Sequence, residues 1–353
     1  MFGYRATTYT TVRKDVPAFI EAVEVRPANE HGAEASVRLA RWLHSRLTDL
    51  GRAFGQVFAD REYSYSNPDN WHHPMRALGA ELVFDLNANA RTIVYYRGIM
   101  FVDGTAYCPG MPEELRYVAR PRRIVLGDRP PEDEPEQVAA WEAARREFDL
   151  AREIMQAREP YELVRNAGNG AGKERYICQA LRGHAICPLR AFTLQSPNAE
   201  FLTLVTPPPD LVVANGICVQ KSIVVPAGVD AKNRQRHPYL SQRWFNEYRK
   251  RSTVERSYAS IKHPANEDVG RGWVELFGLL KVSFMFAIGA MSQNLRLVIR
   301  YLADHPEALD ESDLIMRGPA ASFGHEELNE AGEIELYDEL VNPDPDPDTG
   351  TND

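Results

Sequence analysis

A chain of 353 residues, 44% of them hydrophobic, is long enough for one large domain with an insertion or for two domains. Four cysteines in that length are not a secreted disulfide framework. The net charge of −9 is unevenly spread, because Asp304 to Asp353 carries 16 acidic residues and one basic, while the first 303 residues hold 40 basic against 34 acidic. A mildly basic body therefore carries an acidic tail, a balance suited to meeting nucleic acid.

The opening MFGYRATTYTTV lacks a charged start followed by an apolar run, so no signal peptide is expected. Residues 2–12 and 17–26 alternate like two strands. PANEHGAEASVRLARWLHSRL follows with Val37, Leu39, Ala40, Leu43 and Leu47 at helical spacing. FGQVFAD reads as a short buried strand ending at Asp60, NPDNWHHPMRALG as a turn and short helix, and ELVFDLN as another strand. The order β-β-α-β-α-β predicts a mixed α/β sheet over residues 1–90.

Residues 91–240 differ in character and read as an inserted, β-rich module. They hold hairpin-like strands (TIVYYRGIMFVDGTAYCP), a charged run (DRPPEDEPEQ) and an amphipathic helix (VAAWEAARREFDLAREIMQAR). The segment 241–305 returns to helix. SQRWFNEYRKRSTVERSYASIKHP has no proline or glycine before Pro264, and GWVELFGLLKVSFMFAIGAMSQNLRLVIRYLA is long and mostly apolar. Its most apolar part, near Val282 to Met291, is too short to span a membrane, and its aromatic and methionine residues (Trp273, Phe277, Phe284, Met285, Phe286) are expected in a core. The acidic, proline-punctuated stretch 306–353 is expected to be largely disordered. A soluble intracellular protein follows.

Within the first late helix, Tyr248, Arg251, Glu255 and Lys262 lie at offsets of 3, 7 and 14. At 100° per residue these fall within about 60° of one another, so the four side chains are expected to share one stripe. A stripe with one carboxylate, two cations and a phenol is built for metal and phosphate rather than for a core. The plainer reading makes Glu255 an exposed partner of Arg251 at i, i+4.

This Tyr-x2-Arg-x3-Glu-x6-Lys spacing resembles the signature helix of one large group of bacterial DDE transposases of insertion elements. Asp60 in VFADREY resembles their second catalytic Asp, and the FGYR, PANEH, ALGAELVFDL and GW…GLLK…NLR segments also resemble that family. The resemblance implies a ribonuclease H-like α/β core split by the cysteine-containing insertion. It implies that Asp60 and Glu255 bind Mg²⁺ or Mn²⁺, with Tyr248, Arg251 and Lys262 as signature and DNA-phosphate residues. Double-stranded DNA, both element ends and target, would be the partner, in a homodimer acting at the nucleoid in the cytoplasm with no membrane attachment.

The family's first catalytic Asp lies on a strand preceding the FGY strand, and Met1 stands directly before Phe2. The expectation is an N-terminally truncated transposase with impaired cleavage and strand transfer. Alternatives are a metal-dependent nuclease of the same core, or a catalytically dead, zinc-stabilised DNA-binding or regulatory remnant. Among other acids, Asp103 in VDGTAY is expected in a hairpin turn, Asp15 in a turn, Asp85 at a strand end near the site, and Glu62 beside it. Cys108, Cys178, Cys187 and Cys218 all fall in the insertion. They read either as a tetrahedral structural Zn²⁺ site, with His184 and His237 as substitute ligands, or as four small buried hydrophobes. His72 and His73 are expected to be solvated or capping. RPRR (120–123) and KNRQR (232–236) are candidate DNA-backbone contacts or scattered solvated charge.

Overall fold

In the computed structural model the described residues are 3–13, 16–87, 92–117, 129–166, 172–269 and 276–305. They divide into two units, one holding the residues up to Phe54 together with those from Arg249 on, the other holding Gly55–Tyr248. The acidic tail, RPRR, Asp15 and Trp273 lie outside the described residues.

The first unit begins with the expected hairpin. Strand β1 (Tyr4–Thr10) pairs antiparallel with β2 (Ile20–Pro27), Tyr4 facing Pro27 and Thr8 facing Val23, with an irregularity at Tyr9/Thr10. Helix α1 (Gly32–Asp49) buries Ala33, Ser36, Val37, Ala40 and Leu43, and Tyr9 hydrogen-bonds Ser36 across to it.

Strands β3 (Gln56–Ala59) and β4 (Glu81–Phe84) of the second unit are parallel, joined through helix α2 (His72–Ala77). A meander follows, β5 (Val94–Tyr96), β6 (Ile99–Val102) and β7 (Thr105–Tyr107). Its two turns are Arg97-Gly98 (φ 48° and 74°) and Asp103-Gly104 (φ 51° and 79°). Two consecutive positive φ values are what a two-residue hairpin requires, so Asp103 is a turn residue as expected. Helix α3 (Pro135–Arg158) precedes a second small sheet of β8 (Val164–Asn166), β9 (Glu174–Ile177) and β10 (Ile223–Val225), in the order β10-β9-β8. Helix α4 (Gln242–Tyr248) closes the unit. The architecture is thus mixed α/β, and its described strands form four small sheets.

The late helix is not one continuous α-helix. After α4 comes a 3₁₀ turn at Arg249–Arg251, and then α5 (Ser252–Lys262) in the first unit. The interruption falls on three successive cations, Arg249, Lys250 and Arg251. Helix α5 packs on β1, where the Tyr258 hydroxyl accepts from Thr8 Oγ1 at 3.0 Å and donates to Ala6 O at 3.2 Å.

Helix α6 (Leu279–Asp304) packs on β2. Asn294 reproduces a strand partner, its amide accepting from Ile20 N and donating to Ile20 O at 2.9 Å each. Val282 and Phe286 join Val25 in one core cluster, while Ala290 joins Ile20 and Ile261 in another. The expectation that all the aromatic residues here are core fails, because Phe277 and Phe284 are exposed, as are Leu280, Ile288, Met291 and Leu295. A helix apolar on every side can bury only the face that meets a sheet. Among the described residues α6 alone is long and apolar enough to cross a membrane by length and composition, a test that core helices also pass.

Candidate functional site

Asp60 follows the last residue of β3, where it is exposed. Its carboxylate accepts from Arg61 N at 2.6 Å and caps the 3₁₀ helix Arg61–Tyr65. Because Ala59 faces Phe84 in the parallel register, Asp60 and Asp85 come next in step at the C-terminal ends of adjacent strands. That edge is where parallel α/β units present binding groups.

Asp85 differs from Asp60 in its surroundings. It is buried, its Oδ1 accepting from Tyr239 O–H and its Oδ2 from Arg61 Nε, both at 2.5 Å. A carboxylate with both oxygens engaged by charge-assisted or phenolic donors has only its remaining lone pairs to offer a metal. Glu62 lies beside Asp60 in the same 3₁₀ turn.

Glu255, Arg251 and Lys262 belong to the first unit. Glu255 is exposed on α5 and forms the i, i+4 ion pair with Arg251 at 2.9 Å. Lys262, seven residues on and also exposed, holds Nζ 5.7 Å from the Tyr258 ring centroid. The opposite face of α5 buries Ser257 and Ile261. Arg251, Glu255 and Lys262 thus share the face of α5 turned away from its core. Tyr248 does not join them. It ends α4 in the second unit, buried, its ring stacked on Trp244 at 4.4 Å and 14° between planes. Trp244 in turn donates to Gln235 Oε1, which also accepts from Phe84 N, both at 2.9 Å, so α4 is tied to the β4 edge. Tyr248 is a packing residue, corrected from the expected exposed stripe because the helix carrying that stripe is interrupted at Arg249–Arg251.

Other charged residues depart from expectation. Arg234 of KNRQR is buried and donates to Ala227 O at 2.8 Å and Gly172 O at 3.2 Å, so it is a structural cross-link rather than a phosphate contact. Arg236 pairs with Glu81. His72 is fully buried rather than solvated, set among the rings of Trp71 and Phe84, and neither ring nitrogen has a hydrogen-bond partner. Burial, with Arg76, Lys232 and His73 nearby, pushes its pKa down to about 3.

The four cysteines converge. All are buried, none forms a disulfide, and all line one small cavity with Gln179, Arg190 and Val205. Backbone amides help to place three of them. Cys108 N donates to Tyr161 O at 2.7 Å, and Cys187 N to Thr193 Oγ1 at 3.0 Å. Ile217 N, just before Cys218, donates to Arg97 O at 3.0 Å. Cys108 and Cys218 share a thiol hydrogen bond, which raises the pKa of Cys108 and lowers that of Cys218. His184 bonds Gln179 at 2.9 Å instead of lining the cavity. Among the described residues no group of three or more His, Cys, Asp or Glu side chains is placed to hold a metal ion as it stands.

Arg190 was not foreseen from the sequence, although CPLR places it three residues after Cys187. No family model matches the chain, and no curated protein or solved structure matches it either. The likeness to transposases rests on the residues quoted above.

Proposed function

We propose that this chain is a DNA transposase of the DDE type, with a ribonuclease H-like core, that acts on double-stranded DNA with divalent metal. The observation that carries the reading is the open face of α5, where a carboxylate stands between two cations, Arg251 and Lys262, at the spacing of the transposase signature. Asp60 supports it as an exposed acid at the end of a parallel strand, chemically fit to bind a hard cation through oxygen. Bound Mg²⁺ would activate a water or a 3′-hydroxyl and stabilise the leaving oxygen. Asp60 and Glu255 would supply carboxylate oxygens, while Arg251 and Lys262 would hold phosphates in place. Phosphate contacts of this kind make binding fall with salt, and two element ends held together call for a homodimer.

The test has two arms. End-nicking and strand-transfer assays with Mg²⁺ or Mn²⁺ on element-end DNA should lose product on Asp60→Asn or Glu255→Gln. In the second arm Fe²⁺ replaces Mg²⁺ and peroxide and ascorbate are added, so that bound iron cleaves the nearby backbone. Cleavage near both residue 60 and residue 255, lost in either variant, is expected. Cuts near one position only, or none, would remove the reading that the two acids serve common ions.

The Arg251–Glu255 ion pair favours a second, plainer reading in which Glu255 is a solvated helix partner and the chain binds DNA without cutting it. That reading expects salt-sensitive DNA binding that Glu255→Gln leaves within about twofold.

A further inference from the structure

We infer that Cys108, Cys178, Cys187 and Cys218 form a tetrahedral structural Zn²⁺ site that staples the β-rich part of the second unit. The inference is independent of the DNA-processing reading.

The four sulfurs come from four separate segments. Cys108 follows β7, Cys178 follows β9, Cys187 caps a 3₁₀ turn, and Cys218 lies in the loop before β10. Chance burial of small hydrophobes does not require every cysteine of the chain to line one cavity.

Backbone geometry points the same way. Three of the cysteines begin a turn, with Met111 N bonded to Cys108 O at 3.1 Å, Leu181 N to Cys178 O at 3.1 Å, and Arg190 N to Cys187 O at 2.9 Å. In Cys108-Pro109-Gly110 and Cys187-Pro188-Leu189 the proline presets that turn. The first of these turns aims an amide hydrogen at its sulfur. Gly110 N donates to Cys108 Sγ at 3.5 Å. An amide two residues on, turned toward a sulfur, stabilises a thiolate and does little for a neutral thiol in an apolar core.

Charge balance is the third argument. Zn²⁺ with four thiolates carries a net charge of about −2. Arg190 forms part of the cavity wall, held by Gln220 O at 2.7 Å, and its buried Nε has no hydrogen-bond partner. Arg190 is half-buried, and a guanidinium so placed is favourable beside an anionic centre. As they stand the four sulfurs line one cavity without being placed to hold an ion. Zn–S bonds of about 2.3 Å would draw them to roughly 3.8 Å apart. The strands carrying this region are three or four residues long, and sheets that short gain most from a metal cross-link.

The test uses the full chain, purified under reducing conditions without added metal. Elemental analysis should find about one zinc per chain. Cys178→Ser/Cys187→Ser should lower that at least about fivefold. Because the double variant can misfold, a second measurement uses the native sequence stripped of metal and titrated with Co²⁺. Sulfur-to-cobalt charge-transfer bands with tetrahedral d–d absorption should saturate at one equivalent and vanish on adding Zn²⁺. A metal-free, folded protein that gives no such bands would overturn the site. So would disulfides among these cysteines in the reduced preparation, or iron with inorganic sulfide in place of zinc. Zinc in a chain inert toward DNA would leave this inference standing and remove only the transposase reading.

Discussion

Asp85→Asn distinguishes a buried ion pair from a metal ligand next to Asp60. In the wild-type chain Asp85 Oδ1 accepts from Tyr239 and Oδ2 from Arg61, both at 2.5 Å. The carboxamide can accept from Tyr239 or, flipped, from Arg61 while donating to the Tyr239 hydroxyl oxygen, and in either orientation the charge facing Arg61 is lost. A lost charge-assisted hydrogen bond is worth about 1.5–3 kcal/mol. Arg61 is 40% exposed in its side chain and regains water, which discounts the ion pair to about 1 kcal/mol. The net cost is about 1 kcal/mol, a fall of roughly 2–4 °C in Tm for a unit of this size. Tyr239→Phe leaves the carboxylate with one acceptor site unmet and should cost a similar amount. Because Asn keeps the Tyr239 bond, the double variant should be less stable than either single one. Thermal and urea unfolding, with Mg²⁺ binding measured by calorimetry, report both sides. Asp85→Asn that leaves Tm unchanged within about 1 °C, yet abolishes Mg²⁺ binding, would refute the ion-pair assignment and make Asp85 a ligand.

His72→Phe should flatten the acid limb of the stability–pH curve. The folded ring titrates near 3 and the unfolded ring near 6.5, so the unfolded chain binds the extra proton between them. Stability from this group is full above pH 6.5 and is lost as pH falls toward 3, by a few kcal/mol in urea unfolding at stepped pH. Gly104→Ala, with φ at +79° and a Cβ placed 1.9 Å from Asn233 O, should cost more than about 3 kcal/mol or prevent folding, as read by circular dichroism and expression yield. On α6, Phe286→Ala should cost about 3 kcal/mol and Phe284→Ala less than about 0.5 in chemical denaturation, since only the first is buried.

What the sequence disclosed followed distance along the chain. The order β-β-α-β-α-β, the Asp103-Gly104 turn and the place of Asp60 at a strand end are local matters, set by alternation, capping and turn chemistry over a few residues. The interruption at Arg249–Arg251 was hidden because no proline or glycine marks it, and a run of three cations is also tolerated within helices. The two faces of α6 could not be told apart because residues such as Phe284 and Phe286 have the same hydropathy, and only the contact with β2 separates them. His72 and Arg234 were misplaced because burial of a polar side chain depends on partners far away in sequence, as with Gly172 O and Ala227 O for Arg234. The cysteines set the limit most sharply. Their spacing contains no C-x2-C pair, and Cys108 and Cys218 are 110 residues apart, yet their thiols share a hydrogen bond. A site assembled from single cysteines leaves no short motif to find, and its traces in the chain are the Cys-Pro turns at Cys108 and Cys187. Where function depends on convergence of this kind, the turn chemistry around each residue carries more information than the spacing between them.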